Sequence, residues 1–157
     1  RTEGRSGSSR HSMLSELRVD ELLAAIGERT PAPASGAATA LTAALAAALA
    51  ELSARYGGDE EDAERAHMLA IELVELGELD AVAYLAFMED RNAETRAEIV
   101  RIPEEIARQA DEVFALALRA TERLSTSAAG DARAAAELAQ AAAGVARGLA
   151  QLNREGS

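Results

Sequence analysis

The sequence predicts an all-α protein, a bundle of about five helices around a central alanine-rich helix. Of its 157 residues, 48% are apolar, yet only 3% are aromatic. The apolar mass is therefore alanine and aliphatic residues, and alanine is the best helix former. No run of alternating β-branched or aromatic residues predicts a strand. Between Arg29 and Glu51 there is no charged residue, which marks the helix expected at the centre.

The first two helices are separated by prolines. Apolar spacing predicts a helix over about 15–27 and a second over 35–56. Pro31 and Pro33 cannot continue a helix, and Ser35 is suited to cap the next one. A helix apolar on all sides is buried or lies in a membrane. Alanine and threonine gain little on transfer to lipid, so we expect burial at the bundle centre or across an oligomer interface.

Three longer segments follow. Gly57, Gly58 and Asp59 predict the end of the second helix and the start of a third, over 60–89. A fourth helix is expected over 93–124, with Pro103 either kinking it or marking a new start, which the carboxylates after the proline favour. Asp131 is expected to cap the last helix.

Composition restricts the functional classes. There is no cysteine, which excludes disulfides and thiolate chemistry. The net charge of −11 argues against binding to nucleic acid or an anionic membrane, because both need basic surface. Residues 1–12 are rich in Gly, Ser and Arg and resemble an added leader, which leaves 13–157 as one domain. With no secretion signal apparent, we expect a cytoplasmic protein.

Asp80 is the leading candidate for chemistry. Its helical neighbours Leu76, Gly77, Ala83 and Tyr84 are apolar, small or aromatic. Such surroundings strip water from a carboxylate and raise its pKa, so that it can act as a general acid or base near neutral pH. The alternative is a structural carboxylate paired with an arginine of a neighbouring helix.

A metal site is the weaker possibility. Glu64 and His67 have the Glu-x-x-His spacing of di-metal bundles. A complete site needs a second such pair, and the only other histidine, His11, lies in the leader. His67 is therefore expected at the helix surface or at an interface.

The order of these pieces resembles the formiminotransferase-cyclodeaminase family, including its bacterial methenyltetrahydrofolate cyclohydrolases. Thr30 to Ala37 occupies the place of the family's Pro-Gly-Gly-Gly-Ser loop before its alanine-rich helix. Asp80 to Tyr84 matches its Asp-x-x-Ala-Phe signature, Ile102 to Ala107 its Val-Pro-Leu-Glu-Val-Ala segment, and Gly130-Asp131 its Ser-Asp. The similarity runs in order over about residues 13–153.

The resemblance implies a homodimeric helical bundle that binds a reduced folate. The implied reaction is the cyclisation of formiminotetrahydrofolate with loss of ammonia, or the hydrolysis of the methenyl form, and neither requires a metal or redox cofactor. Asp80 is the implied acid/base. The implied substrate-binding residues are Pro33, Ala34, Ser35, Gly36, Tyr84 and Asp131.

Departures from the family pattern motivate a second hypothesis. Two loop glycines are replaced by Ala34 and Ser35, and the amides expected in the last helix by Gly148 and Leu152. The alternative is therefore a catalytically degenerate member that serves as a dimeric binding or scaffold module.

Overall fold

The computed structural model describes residues 13–125 and 128–156; the predicted leader, 1–12, lies outside them. Within this part of the chain there are five α-helices, a short 3-10 turn at Leu14–Glu16, and no strand. The all-α prediction is confirmed. The helices are α1 (Val19–Gly27), α2 (Ser35–Tyr56), α3 (Glu60–Glu89), α4 (Ala93–Arg123) and α5 (Ala129–Glu155).

Helix α2 lies at the centre and packs against α3, α4 and α5. Its buried surface is made mainly of alanine, and Ala40, Ala43 and Ala47 are fully buried. Because alanine side chains are short and lose no rotamer freedom, neighbouring helices can approach α2 closely. Among the described residues, α2 alone is long and apolar enough to span a membrane, but over half of its apolar stretch is buried within the bundle.

The leucines of α2 are more exposed than its alanines. Leu45 is 66% exposed and Leu52 is 40% exposed, while Leu41 and Leu49 are partly buried and Leu49 packs against the core. The leucine side of α2 is thus partly at the surface, and the alanine face is packed inside. Helix α5 follows the same rule, since most of its alanines are buried whereas Val145 is half exposed.

Paired charges join the N-terminal part of α3 to the C-terminal half of α4. Arg65 donates to Glu112 at 2.6 and 2.9 Å, and Arg119 makes a two-bond pair with Asp62 at 2.8 Å for each bond. Two parallel N–H···O bonds fix geometry better than a single contact. These pairs hold the two long helices in one register.

Helix α4 continues through Pro103, and the new start favoured by the sequence does not occur. Proline lacks the N–H that would bond to the carbonyl four residues earlier, here Ile99. The side chain of Asn153 on α5 supplies the missing donor, with its Nδ2 2.6 Å from the Ile99 oxygen. A contact 54 residues away in sequence therefore supports the helix at its proline.

Helix ends match the predictions in part. Asp59 caps α3 by accepting from the Asp62 N–H at 3.1 Å, as expected, and Gly58 takes the left-handed φ of 71° that favours glycine. Ser35 does not cap α2: it is the first helical residue, and Ala34 stands at the cap. Likewise α5 begins at Ala129, which places Asp131 within the first turn.

The first predicted helix is divided in two. The 3-10 turn ends at Glu16 and α1 begins at Val19. The Arg18 N–H donates to the side chain of Glu21 at 2.9 Å, which starts α1 later than the periodicity suggests.

Candidate active site

Asp80 of α3 lies against the N-terminus of α2. Its carboxylate is so close to Gly36 that a Cβ there would lie 2.1 Å from Oδ2 and 2.3 Å from Cγ. No side chain can occupy that space unless Asp80 moves. Gly36 does not have a positive φ, since among the described residues only Gly58 does. Glycine is therefore required at position 36 by the contact with the carboxylate, and not by the backbone conformation.

A second glycine lets α3 approach α2. A Cβ on Gly77 would lie 3.4 Å from the Ala40 Cβ and 3.6 Å from the Ala37 carbonyl oxygen. Gly77 precedes Asp80 by about one helical turn, so both residues lie on the face of α3 that meets α2. The two glycines together allow the carboxylate to reach the end of α2.

Burial raises the pKa of Asp80 from its ordinary value of 3.8 to about 6. The Ala37 N–H partly offsets this by donating to the carboxylate, as expected for an acid at the positive end of a helix. No arginine forms an ion pair with Asp80 within residues 13–125 and 128–156. The arginine-paired alternative is therefore not what the structure shows.

Asp80 lines an open cavity of about 220 Å³. The proline-containing loop before α2, the helices α3 and α4, and the end of α5 surround this cavity. Five residues predicted from the sequence meet there. The lining is Pro31, Ala32, Ala34, Ser35, Gly36, Asp80, Tyr84, Pro103, Leu149 and Asn153.

Two predicted residues lie outside this lining. Pro33 lines a separate cavity of about 280 Å³, together with Met13 and Glu78. Asp131 is exposed in the first turn of α5, eighteen residues before Leu149. At 1.5 Å per residue, that places it about 27 Å along the helix from the cavity.

Of the five lining residues that were not predicted as site residues, Asn153 is the one with a polar side chain. The family pattern predicts amides at Gly148 and Leu152, where this chain has none, but Asn153, the residue after Leu152, does line the cavity. A signal was present in the sequence, because Pro103 leaves the Ile99 carbonyl without its helical donor and an amide side chain is one group that can supply it.

The loop substitutions do not distort the backbone. Ala34 has φ −142°, and within 13–125 and 128–156 no residue other than glycine has a positive φ. Alanine and serine therefore fit where the family pattern has glycine. The glycine that is kept, Gly36, is the one whose side chain would collide with Asp80.

His67 lies away from this cavity on the exposed side of α3. Its Nδ1 is 3.1 Å from Oε2 of Glu51, and its side chain is 54% exposed. Among the described residues, no three His, Asp or Glu side chains are grouped as a metal site would need. The surface position expected for His67 is confirmed.

Comparison with known proteins identifies the family. The family model described as formiminotransferase-cyclodeaminase matches residues 18–155. The chain belongs to this family. The family resemblance inferred from the loop, from Asp80 to Tyr84 and from Ile102 to Ala107 is thereby confirmed.

A solved structure shows the same fold. The crystal structure of formiminotetrahydrofolate cyclodeaminase from Thermotoga maritima matches with a TM-score of 0.86 over 91% of this chain and 81% of that chain. The two sequences are 21% identical, so the likeness concerns the architecture. A comparison with curated protein sequences gives no significant match.

Proposed function

We propose that this chain binds a reduced folate in the Asp80 cavity and acts as a cyclodeaminase or methenyltetrahydrofolate cyclohydrolase. The observation that carries the proposal is a partly buried carboxylate, with its pKa raised to about 6, on the wall of an open cavity. An acid/base group works best when its pKa lies near the working pH. Membership of the family and the shared fold support the folate class.

One carboxylate is sufficient for the cyclisation. As N10 of the folate attacks the carbon of the protonated formimino group (C=NH2+), ionised Asp80 takes the proton from N10, which leaves an –NH2 group on the tetrahedral carbon. The same proton is then given to the departing nitrogen, the C–N bond breaks, and ammonia leaves. In the hydrolysis, Asp80 takes a proton from the attacking water and returns it to the ring nitrogen that leaves the former methenyl carbon. The C=O bond of the formyl group forms as this C–N bond breaks, and the remaining hydroxyl proton goes to solvent.

The start of α2 supplies fixed dipoles. The first backbone N–H groups of a helix have no acceptor within it, and the Ala37 N–H already serves Asp80. The N–H groups of Ser35 and Gly36 lie at the cavity and are proposed to bind a carbonyl of the substrate. Tyr84 supplies an aromatic wall for a ring system.

The cavity volume limits what enters. About 220 Å³ is less than the roughly 300–1,000 Å³ of ordinary ligand pockets. We therefore place the reacting ring system inside the cavity and the rest of the folate outside it.

The test is turnover by the wild type and by Asp80→Asn, with both formiminotetrahydrofolate and methenyltetrahydrofolate as substrates. The amide has nearly the same shape but cannot carry the proton, and we expect kcat to fall at least ~100-fold, the typical contribution of general acid/base catalysis. Asp111→Asn is the matched control, because that carboxylate is exposed and pairs with Arg147. Unchanged turnover in Asp80→Asn would remove the mechanism.

One surface supports the homodimer that both the enzyme hypothesis and the scaffold alternative include. An apolar groove of about 480 Å³ lies between α1, α2 and α3, and Leu23 and Leu45 in its lining are 65% and 66% exposed. Apolar surface of this kind is typical of protein interfaces. We propose that a second copy of the chain covers it.

Light scattering coupled to size exclusion tests the dimer. Leu45→Glu should give a monomer, whereas Leu118→Glu, at an exposed leucine of α4 outside the groove, should not. The scaffold hypothesis further predicts that a dimer forms without measurable folate binding. A cytoplasmic location and the absence of nucleic-acid and membrane partners stay predictions, which cell fractionation and nucleic-acid and vesicle binding assays test.

A further inference from the structure

We propose that Asn153 is a ligand-binding residue, oriented by the carbonyl that Pro103 leaves free, and that its Oδ1 accepts an N–H of the ring that lies beside Asp80. This inference rests on the proposed function, since it concerns the same cavity. It goes further by stating which edge of the ligand the cavity recognises.

The first step is the fixed position of the Asn153 side chain. Pro103 lacks an N–H, so the Ile99 carbonyl loses its helical donor. The Asn153 Nδ2 fills that role at 2.6 Å, in a part-buried contact between α5 and α4. An unsatisfied carbonyl in such a place costs free energy, which keeps the amide where it is.

The second step is the orientation of the amide. A carbonyl oxygen accepts hydrogen bonds, so the atom facing Ile99 must be the amide nitrogen and not the amide oxygen. The oxygen is therefore the free end of the carboxamide. Within residues 13–125 and 128–156 no hydrogen bond to Oδ1 is present, and both Asn153 and Pro103 line the cavity.

The third step is the chemistry of the whole lining. Ionised Asp80 and the Asn153 Oδ1 are both acceptors, and no Arg or His is among the lining residues. A ligand that satisfies both must present two N–H donors: the N10–H of the folate at Asp80, as the proposed mechanism requires, and an N–H of the ring system at the Asn153 Oδ1. Sites built to bond such donors strongly reject analogues without them, because the acceptors are then left unpaired.

The experiment is calorimetric titration with folinic acid, a stable reduced folate. Asn153→Leu keeps the approximate size and removes both amide functions, and we expect the Kd to rise at least ~10-fold. Gln151→Leu is the matched control on the same helix. Gln151 is exposed, bonds to Glu155 and does not line the cavity, so its Kd should equal that of the wild type.

A second variant separates binding from folding. Pro103→Ala restores the N–H that bonds to Ile99, so the double variant Pro103→Ala/Asn153→Leu should regain the thermal stability that Asn153→Leu loses. Under the proposal, its folinic acid affinity stays low. Recovery of affinity along with stability would show that Asn153 is only structural and would overturn the inference.

The remaining outcomes are distinct. If the wild type and Asn153→Leu bind folinic acid equally, the inference fails while the proposed function stands. If Asn153→Leu weakens binding but Asp80→Asn leaves turnover unchanged, the acid/base mechanism fails and the Asn153 contact stands. If the wild type binds no folinic acid, the Asn153 proposal is overturned together with the folate site.

Discussion

Replacing Asp80 by Asn should stabilise the protein at neutral pH. The folded state raises the pKa of this carboxyl from 3.8 to about 6, so the folded protein holds the proton more tightly than the unfolded chain. Between about pH 4 and pH 6, ionisation therefore lowers the free energy of unfolding. A shift of about 2 pKa units corresponds to about 3 kcal/mol, fully present above pH 7.

Asparagine carries no charge to desolvate, so Asp80→Asn should raise the free energy of unfolding by up to ~3 kcal/mol above pH 7. The difference from the wild type should shrink as the pH falls and vanish below about pH 4, where both side chains are neutral. Urea unfolding followed by far-UV circular dichroism at a series of pH values measures this. For a chain of this size the gain corresponds to a Tm rise of roughly 6–12 °C.

A second aspartate on α3, Asp62, provides a control in which the same substitution should change the stability in the opposite direction. The guanidinium of Arg119 lowers the pKa of Asp62 by its hydrogen bonds, so ionised Asp62 stabilises the fold above its unfolded pKa. Asp62→Asn should therefore destabilise the protein at neutral pH, and the loss should disappear in acid. If Asp80→Asn also destabilises at pH 7, or if its effect does not depend on pH, the account of a desolvated carboxylate is wrong.

Three further outcomes follow from the same structure. Gly36→Ala should lower kcat/KM at least ~10-fold, because the new methyl occupies the place of the Asp80 carboxylate; full activity would contradict the close contact. In the wild type kcat/KM should rise with pH through about 6 and then level off, because the ionised carboxylate starts the reaction; a flat profile over that range would exclude Asp80 as the base. Gly148→Ala should raise the free energy of unfolding by about 0.5–1 kcal/mol in urea titrations, because no atom lies within 4 Å of the new Cβ and alanine favours a helix; a loss of stability would show an unrecognised contact on α5.

The central helices were predictable because local chemistry marks their ends. Proline before Ser35 and the Gly57 to Asp59 turn give α2 and α3 the bounds that the structure has. Asp80 was predictable for a similar reason, since its small and apolar neighbours on one helix already determine that it is poorly hydrated.

The wrong predictions concern features that depend on contacts between residues distant in the sequence. The residues around Pro103 predict the start of a helix. In the structure the Asn153 side chain donates a hydrogen bond to the Ile99 carbonyl, and α4 continues through the proline. Nor does hydropathy alone show which face of an apolar helix is packed: Leu45 is exposed because the flatter alanine face allows the helices to approach. The contact between Gly36 and Asp80 joins residues 44 positions apart and follows from the packing of α2 on α3.

The most direct test of the central claim is a titration of the Asp80 carboxyl carbon by NMR in the intact protein, assigned by comparison with Asp80→Asn. A partly buried carboxylate without a cationic partner, which takes its single hydrogen bond from Ala37, should titrate at about pH 6. A midpoint at or below pH 4 would show that the group is hydrated or paired with a cation, and would contradict both its role as acid/base and the mechanism built on it.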